Sequence, residues 1–216
     1  MTLQFGRRPA KSGQAKSAVI FVHGYGADGR DLLGLAEPLA PHLPDTAFYA
    51  PDAPDRCRNN PFGYQWFPIP WMDGSSEVEA RTALMRSADL LDSFVDKVLA
   101  DEGLAPAQLA LVGFSQGTMM SLHIAPRRAE PLAGVVGFSG RLLGEEDLPA
   151  AIRSRPPVLL IHGDADDVVP PQSMPLAAAA LQRAGIDVQT HVSPGTAHGI
   201  APDGLTLALR FLQERL

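Results

Sequence analysis

The chain has 216 residues, 45% hydrophobic and 19% charged, which is the composition of an ordinary globular protein. Its net charge of −6 argues against nucleic-acid binding, which requires a basic face, so we expect no nucleic-acid partner. The single cysteine, Cys57, excludes an intramolecular disulfide. The length favours one domain over residues 1–216.

The N-terminal region and the apolar runs bear on localisation. The first 17 residues carry four basic side chains but no apolar core of a secretory signal. No apolar run approaches the roughly 20 residues of a membrane-spanning helix. We therefore predict a cytoplasmic protein with no integral membrane association, beginning with a short edge strand at Leu3–Phe5.

Short apolar runs alternate with amphipathic segments along the chain. The predicted strands are 18–22, 46–50, 109–112, 134–138, 156–162 and 187–192. The predicted helices are a segment through Leu32–Leu39 capped by Asp28 or Asp31, 77–100, 118–125, 171–184 and a terminal helix containing Leu205, Leu209 and Leu212. This alternation predicts an α/β fold, with a mostly parallel central sheet and helices on both faces.

Residues 51–76 interrupt that alternation. They contain five prolines and both tryptophans, which predicts a long loop, and the aromatic residues indicate that it is ordered. The rings either pin the loop to the core, or Trp66, Phe67 and Trp71 also line a substrate channel. The aromatic loop is also a candidate interface for a homodimer.

The segment Gly113-Phe114-Ser115-Gln116-Gly117 lies between a predicted strand and a predicted helix. A G-x-S-x-G sequence in that position places the serine on a sharp turn with its oxygen exposed. The following helix points its free N–H groups at developing negative charge. Ser115 is therefore the predicted nucleophile, whereas Ser139, which lacks this frame, is not.

A nucleophilic serine needs a base, and the base needs an orienting carboxylate. The last predicted strand leads into a loop with His198, which is the predicted base because His162 and His191 belong to strands. Three carboxylates follow strand 156–162, and spacing alone does not separate them: Asp164, Asp166 and Asp167.

An oxyanion hole requires two N–H donors. One is expected from the residue after the nucleophile, Gln116, and the other from the loop after strand 18–22, where the run His23-Gly24-Tyr25-Gly26 favours Tyr25. His23 would then brace the turn. No zinc-binding, phosphate-binding or dinucleotide-binding motif occurs, so neither a metal nor a cofactor is expected.

Taken together, these segments resemble the phospholipase/carboxylesterase family of the α/β-hydrolase superfamily, which includes acyl-protein thioesterases and small bacterial carboxylesterases. The resemblance covers nearly the whole chain and depends on VHGYGADGRDLLGLA, QWFPIP, GFSQGTMMSL, HGDADDVVP and GTAHGI. It implies an α/β-hydrolase fold without a large lid domain, with Ser115 as nucleophile, Asp166 as acid, His198 as base and the amides of Tyr25 and Gln116 as oxyanion donors.

The expected function is hydrolysis of carboxylic esters of short to medium acyl chains through an acyl-enzyme. The substrate would be a small ester or lipid-like molecule. The stretch QWFPIPW departs from the thioesterase branch, which has W-F-D there, and favours the bacterial carboxylesterases. Two alternatives stay open: a lysophospholipase or acyl-protein thioesterase with the same triad, and a non-catalytic module that binds a hydrophobic ligand.

Overall fold

A computed structural model of the chain describes residues 2–216. The strands in this range are β1 (Phe5–Arg8), β2 (Ser17–Val22), β3 (Thr46–Pro51), β4 (Asp55–Arg56), β5 (Tyr64–Gln65), β6 (Leu109–Phe114), β7 (Gly134–Phe138), β8 (Val158–Gly163) and β9 (Val188–Ser193). The helices are α1 (Gly29–Leu33), α2 (Ala36–Leu39), α3 (Pro70–Asp73), α4 (Glu77–Glu102), α5 (Gln116–Ile124), α6 (Leu148–Ala151), α7 (Ser173–Arg183) and α8 (Pro202–Gln213).

Seven strands form the central sheet, in the order β1-β3-β2-β6-β7-β8-β9. All neighbours are parallel except the edge strand β1, which pairs antiparallel with β3. The six apolar strands predicted from sequence are all present. The edge strand lies at Phe5–Arg8 rather than at the predicted Leu3–Phe5, since backbone pairing with β3 sets its bounds and an edge position tolerates polar side chains.

The sheet is buried on both faces, as β2 illustrates. Ala18, Ile20 and Val22 pack in one apolar cluster, together with residues of α4, α5 and α7. Val19 and Phe21 point to the opposite cluster, together with residues of α1, α2 and α8. Alternation along a strand therefore supplies two cores, and the predicted α/β arrangement with helices on both faces is confirmed.

Local capping residues set the ends of the helices. Asp28 caps α1 and forms a reciprocal capping box with Asp31, and the predicted segment through Leu39 is divided into α1 and α2. Ser76 and Glu79 form the same device at the start of α4, and Gly103, with φ 66°, caps its C-terminal end. None of the helices within residues 2–216 has the length and apolar character required to cross a bilayer.

The region 51–76 is more regular than the predicted loop. It contains the two-stranded hairpin β4–β5 and the short helix α3. Backbone hydrogen bonds from Gly26 to Tyr64 and from Tyr64 to Ala27, both 2.9 Å, tie this hairpin to the loop after β2. These pairings join residues far apart in sequence, which is why the local pattern of prolines did not reveal them. No separate lid domain is found among the described residues.

The strand order places several loops at one edge of the sheet. The chain runs from β2 outward to β3 and then returns to β6 on the other side of β2. In open α/β sheets, ligands bind at the carboxyl ends of strands where the order reverses in this way. The loops after β2, β6, β7, β8 and β9 therefore converge on one region.

Candidate active site

Ser115 is the single residue between β6 and α5. Its backbone has φ 53° and ψ −115°, a conformation that a residue with a side chain rarely adopts. The turn is held by its own amide, which donates to Phe138 O at 2.9 Å, and by Thr118 Oγ1, whose single proton is shared between Gly113 O and Phe138 O at 2.9 and 2.8 Å. Strain maintained by several contacts is typical of functional turns.

Two glycines allow the chain to pack against this turn. A Cβ atom at Gly117 would lie 1.7 Å from Val22 O, and one at Gly113 would lie 2.5 Å from the carbonyl carbon of Gly117. No side chain fits at either position without moving backbone. The start of α5 therefore lies directly against the end of β2, and this brings the loop after β2 beside Ser115.

His198 and Asp166 are in direct contact, although 32 residues separate them. Nδ1 of His198 lies 2.8 Å from Oδ2 of Asp166. The other carboxylate oxygen, Oδ1, accepts hydrogen bonds from the amides of Val168 and Val169, both at 2.9 Å. The Asp166 side chain is fully buried and that of His198 is 17% exposed, so the carboxylate has no solvent and the imidazole has some.

The hydrogen bonds to Asp166 determine its charge. Burial alone would raise its pKa, but the bonds from His198, Val169 and Val168 outweigh burial and hold the pKa below its usual value. The carboxylate is therefore ionised at neutral pH and accepts a hydrogen bond from Nδ1 of His198. This leaves Nε2 of His198 as the atom that can accept a proton from elsewhere.

The other candidates from the sequence lie in different positions. Asp164 accepts a hydrogen bond from the amide of Gly195 at 2.6 Å and so holds the loop that carries His198. Asp167 is exposed. His191 pairs with Asp203 at 2.7 Å on the surface. Of the three crowded carboxylates, Asp166 is the one in contact with His198.

The loop after β2 is held by His23. The amide of Ala53 donates to Nε2 of His23 at 2.9 Å, so the ring proton is on Nδ1, which donates to Gly24 O at 2.7 Å. Burial lowers the pKa of His23, consistent with a neutral ring. The backbone N–H groups of Tyr25 and Gln116 have no hydrogen-bond partner within residues 2–216. They are available as the predicted oxyanion donors.

Ser115, Gln116, Tyr25 and His198 line one cavity of about 610 Å³. Phe67 and Trp71 also line it, as expected for substrate-binding residues. Trp66 does not, which corrects the prediction for this residue: it is fully buried, and its Nε1 donates to His23 O at 2.9 Å. Because its indole N–H donates to this carbonyl within the core, the ring supports the loop after β2 and does not line the cavity.

Several cavity residues were not predicted as part of the site. Met119, Leu143, Val168 and Val169 form apolar wall, and three charged side chains also line the cavity: Glu77, Arg81 and Arg141. The side chain of Gln116 is a further unpredicted contact: its Oε1 accepts from Trp66 N at 3.1 Å and its Nε2 donates to Phe67 O at 2.7 Å. These contacts join residues about 50 positions apart, and only the fold shows them.

The fold and this site define the class of the protein. A mostly parallel sheet, a strained serine between a central strand and a helix, and a contacting His–Asp pair on the loops after the last two strands are features of an α/β-hydrolase.

Comparison with known proteins identifies the family within this class. A model of the family described as Phospholipase/Carboxylesterase matches residues 9–216. The chain is 29% identical to acyl-protein thioesterase 1 of Gibberella zeae, covering 96% of this chain and 94% of that protein.

Comparison with solved structures leads to the same family. Esterase PE8 superposes with a TM-score of 0.94 at 46% identity and full coverage of both chains. The phospholipase/carboxylesterase of Dyadobacter fermentans superposes with a TM-score of 0.79 at 27% identity, covering 98% of this chain and 96% of that one. The chain belongs to the phospholipase/carboxylesterase family and is a hydrolase of its esterase and thioesterase type. The homodimer, the cytoplasmic location and the lack of a nucleic-acid partner stay predictions.

Proposed function

We propose that this hydrolase is a carboxylesterase that cleaves esters of short to medium acyl chains with a triad of Ser115, His198 and Asp166. The observation that carries the proposal is the shared cavity: the strained Ser115 and His198 both line it, and Nδ1 of His198 contacts the buried Asp166, which leaves Nε2 for proton transfer. This is the arrangement of a nucleophile, a base and an orienting acid.

In the proposed reaction, Oγ of Ser115 attacks the acyl carbon and His198 Nε2 takes the hydroxyl proton. The carbonyl oxygen becomes an oxyanion, which accepts hydrogen bonds from the amides of Tyr25 and Gln116. Collapse of this intermediate breaks the ester bond, and the proton passes from His198 to the leaving alcohol. Water, activated by the same base, then releases the carboxylic acid and restores Ser115.

The cavity supports the proposed substrate class. A volume of about 610 Å³ lies in the range of small-molecule sites. Its walls are mainly apolar, and the lining residues include Phe67, Trp71, Met119 and Leu143. Apolar walls favour an acyl chain, while the charged groups Glu77, Arg81 and Arg141 suit a polar leaving group.

Two experiments test the proposal. A fluorophosphonate probe should label Ser115 and no other residue, as read by mass spectrometry of peptides, and labelling elsewhere would contradict the assignment. A panel of p-nitrophenyl esters from acetyl to palmitoyl should show the highest kcat/KM at short or medium chain lengths. A maximum at palmitoyl would refute the chain-length part alone.

Thioester cleavage is the second candidate function, because a curated relative that matches 96% of this chain is an acyl-protein thioesterase. Matched oxygen esters and thioesters of one acyl group, together with a lysophospholipid, separate the alternatives. Carboxylesterase function predicts the higher kcat/KM for the oxygen ester. A non-catalytic binding module predicts no turnover of any of them.

A further inference from the structure

A second imidazole contacts the carboxylate of Asp166. His162 lies in β8, four residues before Asp166, and is 2% exposed. Its Nε2 lies 2.9 Å from Val169 O and 3.3 Å from Asp166 Oδ2, the oxygen that also contacts His198. The carbonyl of Val169 can only accept a hydrogen bond, so Nε2 carries the proton and donates it to that oxygen.

We propose that His162 is a positioning residue for the reaction: through its hydrogen bond to Val169 O it holds the loop after β8, and with it the acid of the triad, in register with His198. The inference rests on the proposed triad and adds a fourth residue to it. His162 touches neither substrate nor reacting atoms, and it acts through Asp166.

The contacts of His162 form a closed set with the loop after β8. Asp166 Oδ1 accepts from the amide of Val169, and the carbonyl of Val169 accepts from His162. The side chain at 162 therefore restrains the same residue that restrains the carboxylate. Because Val168 and Val169 also line the cavity, movement of this segment would displace the acid and the cavity wall together.

The complete burial of Asp166 makes each donor consequential. With no exposed side-chain surface, its charge is balanced by two amides on Oδ1 and by the imidazole of His198 on Oδ2. His162 acts on this set indirectly, because its N–H donates to Val169 O and so fixes the residue whose amide donates to Oδ1. Removal of the His162 N–H leaves a more basic and less restrained carboxylate, which holds an imidazolium at His198 more strongly.

A matched pair of amide substitutions tests this role. The His162→Gln side chain is long enough to place an N–H near the position of Nε2, whereas the His162→Asn side chain is one methylene shorter and does not reach Val169 O or Asp166. Both variants remove the imidazole and retain a neutral amide. A purely structural role would be affected by both, so the difference between them reports the donor.

The expected result is a split between the two variants. His162→Asn should lower kcat on the best p-nitrophenyl ester by about 10- to 100-fold, since misplacement of a catalytic group has effects of this order. KM should change little, and the low-pH limb of kcat/KM should move to higher pH. His162→Gln should recover most of kcat and the wild-type pH profile.

The other groups that face this region are the same in both variants, so they cancel in the comparison. The titratable or charged side chains around the cavity and on the adjoining loops are Tyr25, Glu77, Arg81, Arg141, Asp164 and Asp167.

Equal kcat values and equal pH profiles for the two variants would overturn the proposal. If either variant fails to fold, ring nitrogen NMR of the wild-type protein decides the question: a proton on Nδ1 of His162, with Nε2 unprotonated, would equally overturn it. Failure of the triad itself is separate, because Ser115→Ala would then keep wild-type turnover. Loss of turnover in Ser115→Ala with equal Gln and Asn variants would reject the role of His162 alone.

Discussion

Two neighbouring strands end in Val-Gly-Phe, and a serine follows each of them. β6 ends in Val112–Phe114 before Ser115, β7 ends in Val136–Phe138 before Ser139, and the two strand ends lie side by side. Both serines have positive φ, 53° and 47°, and they are the only such non-glycine residues between residues 2 and 216. Yet Ser115 lines the cavity, whereas Ser139 is 1% exposed with no hydrogen-bond partner for its hydroxyl in that range.

The two serines differ in the chain segment that comes after each of them. Gln116 begins a nine-residue helix, so Ser115 lies at a helix start beside unpaired N–H groups. Ser139 is followed by Gly140 and Arg141 in non-helical chain, and the next helical turn starts at Glu145. Strain and residue type are therefore shared by the two turns. The helix and the facing loops distinguish the candidate nucleophile from its neighbour.

The largest expected effect separates the two serines directly. Ser115→Ala should lower kcat on a p-nitrophenyl ester by about 10³- to 10⁶-fold, because the nucleophile is lost. Ser139→Ala should leave kcat nearly unchanged and alter the free energy of unfolding by less than about 1 kcal/mol, since its hydroxyl makes no hydrogen bond. A large loss of turnover in Ser139→Ala with normal stability would reverse the assignment.

The second effect compares the glycines before the two serines. A Cβ atom at Gly113 would meet backbone of Gly117 and Thr118 at 2.5 Å, whereas one at Gly137 would meet the methyl group of Thr118 at 2.5 Å. Backbone at a helix start moves less easily than a side chain. Gly113→Ala should therefore cost about 4 kcal/mol of unfolding free energy or more and Gly137→Ala about 1–3 kcal/mol, measured by urea denaturation. Equal losses would show that the two turns are equally tight.

The third effect concerns the residue after each serine. Gln116→Met keeps the length of the side chain but removes its hydrogen bonds to Trp66 N and Phe67 O. Two buried backbone groups lose their partners, so unfolding free energy should fall by about 2–3 kcal/mol. KM should rise because Phe67 lines the cavity. After Ser139 the corresponding residue is Gly140, which has no side chain and cannot form hydrogen bonds of this kind.

The smallest effect lies in the helix that begins after Ser115. Burial, assisted by Arg127, lowers the pKa of His123 to about 4. Between the unfolded pKa of about 6.5 and pH 4, the unfolded chain binds the extra proton, so stability falls as the pH drops. Wild type should lose about 2 kcal/mol more than His123→Met over this interval, after allowance for partial solvent screening, in urea titrations at each pH. Parallel curves for the two proteins would contradict a buried neutral His123. The segment after Ser139 has no counterpart of His123, because residues 140–147 contain no histidine.

Local sequence determined the strands of the sheet, the turn at Ser115 and two residues of the candidate site. Six short apolar runs became strands because a chain segment that is apolar on both faces is stable only inside a covered sheet. The G-x-S-x-G run predicted the strained turn, since its glycines permit backbone contacts that no Cβ would allow. Ser115 and His198 were predicted from chain order and from their positions after strands.

Tertiary structure alone decided the contacts between distant segments. Spacing left Asp164, Asp166 and Asp167 equivalent, and the fold placed Asp166 against His198 and Asp164 against Gly195. The fold also places Trp66 in the core, whereas Phe67 and Trp71 line the cavity. The physical reason is that local patterns report which way a side chain faces within its own element. The identity of the group it meets depends on how remote elements pack.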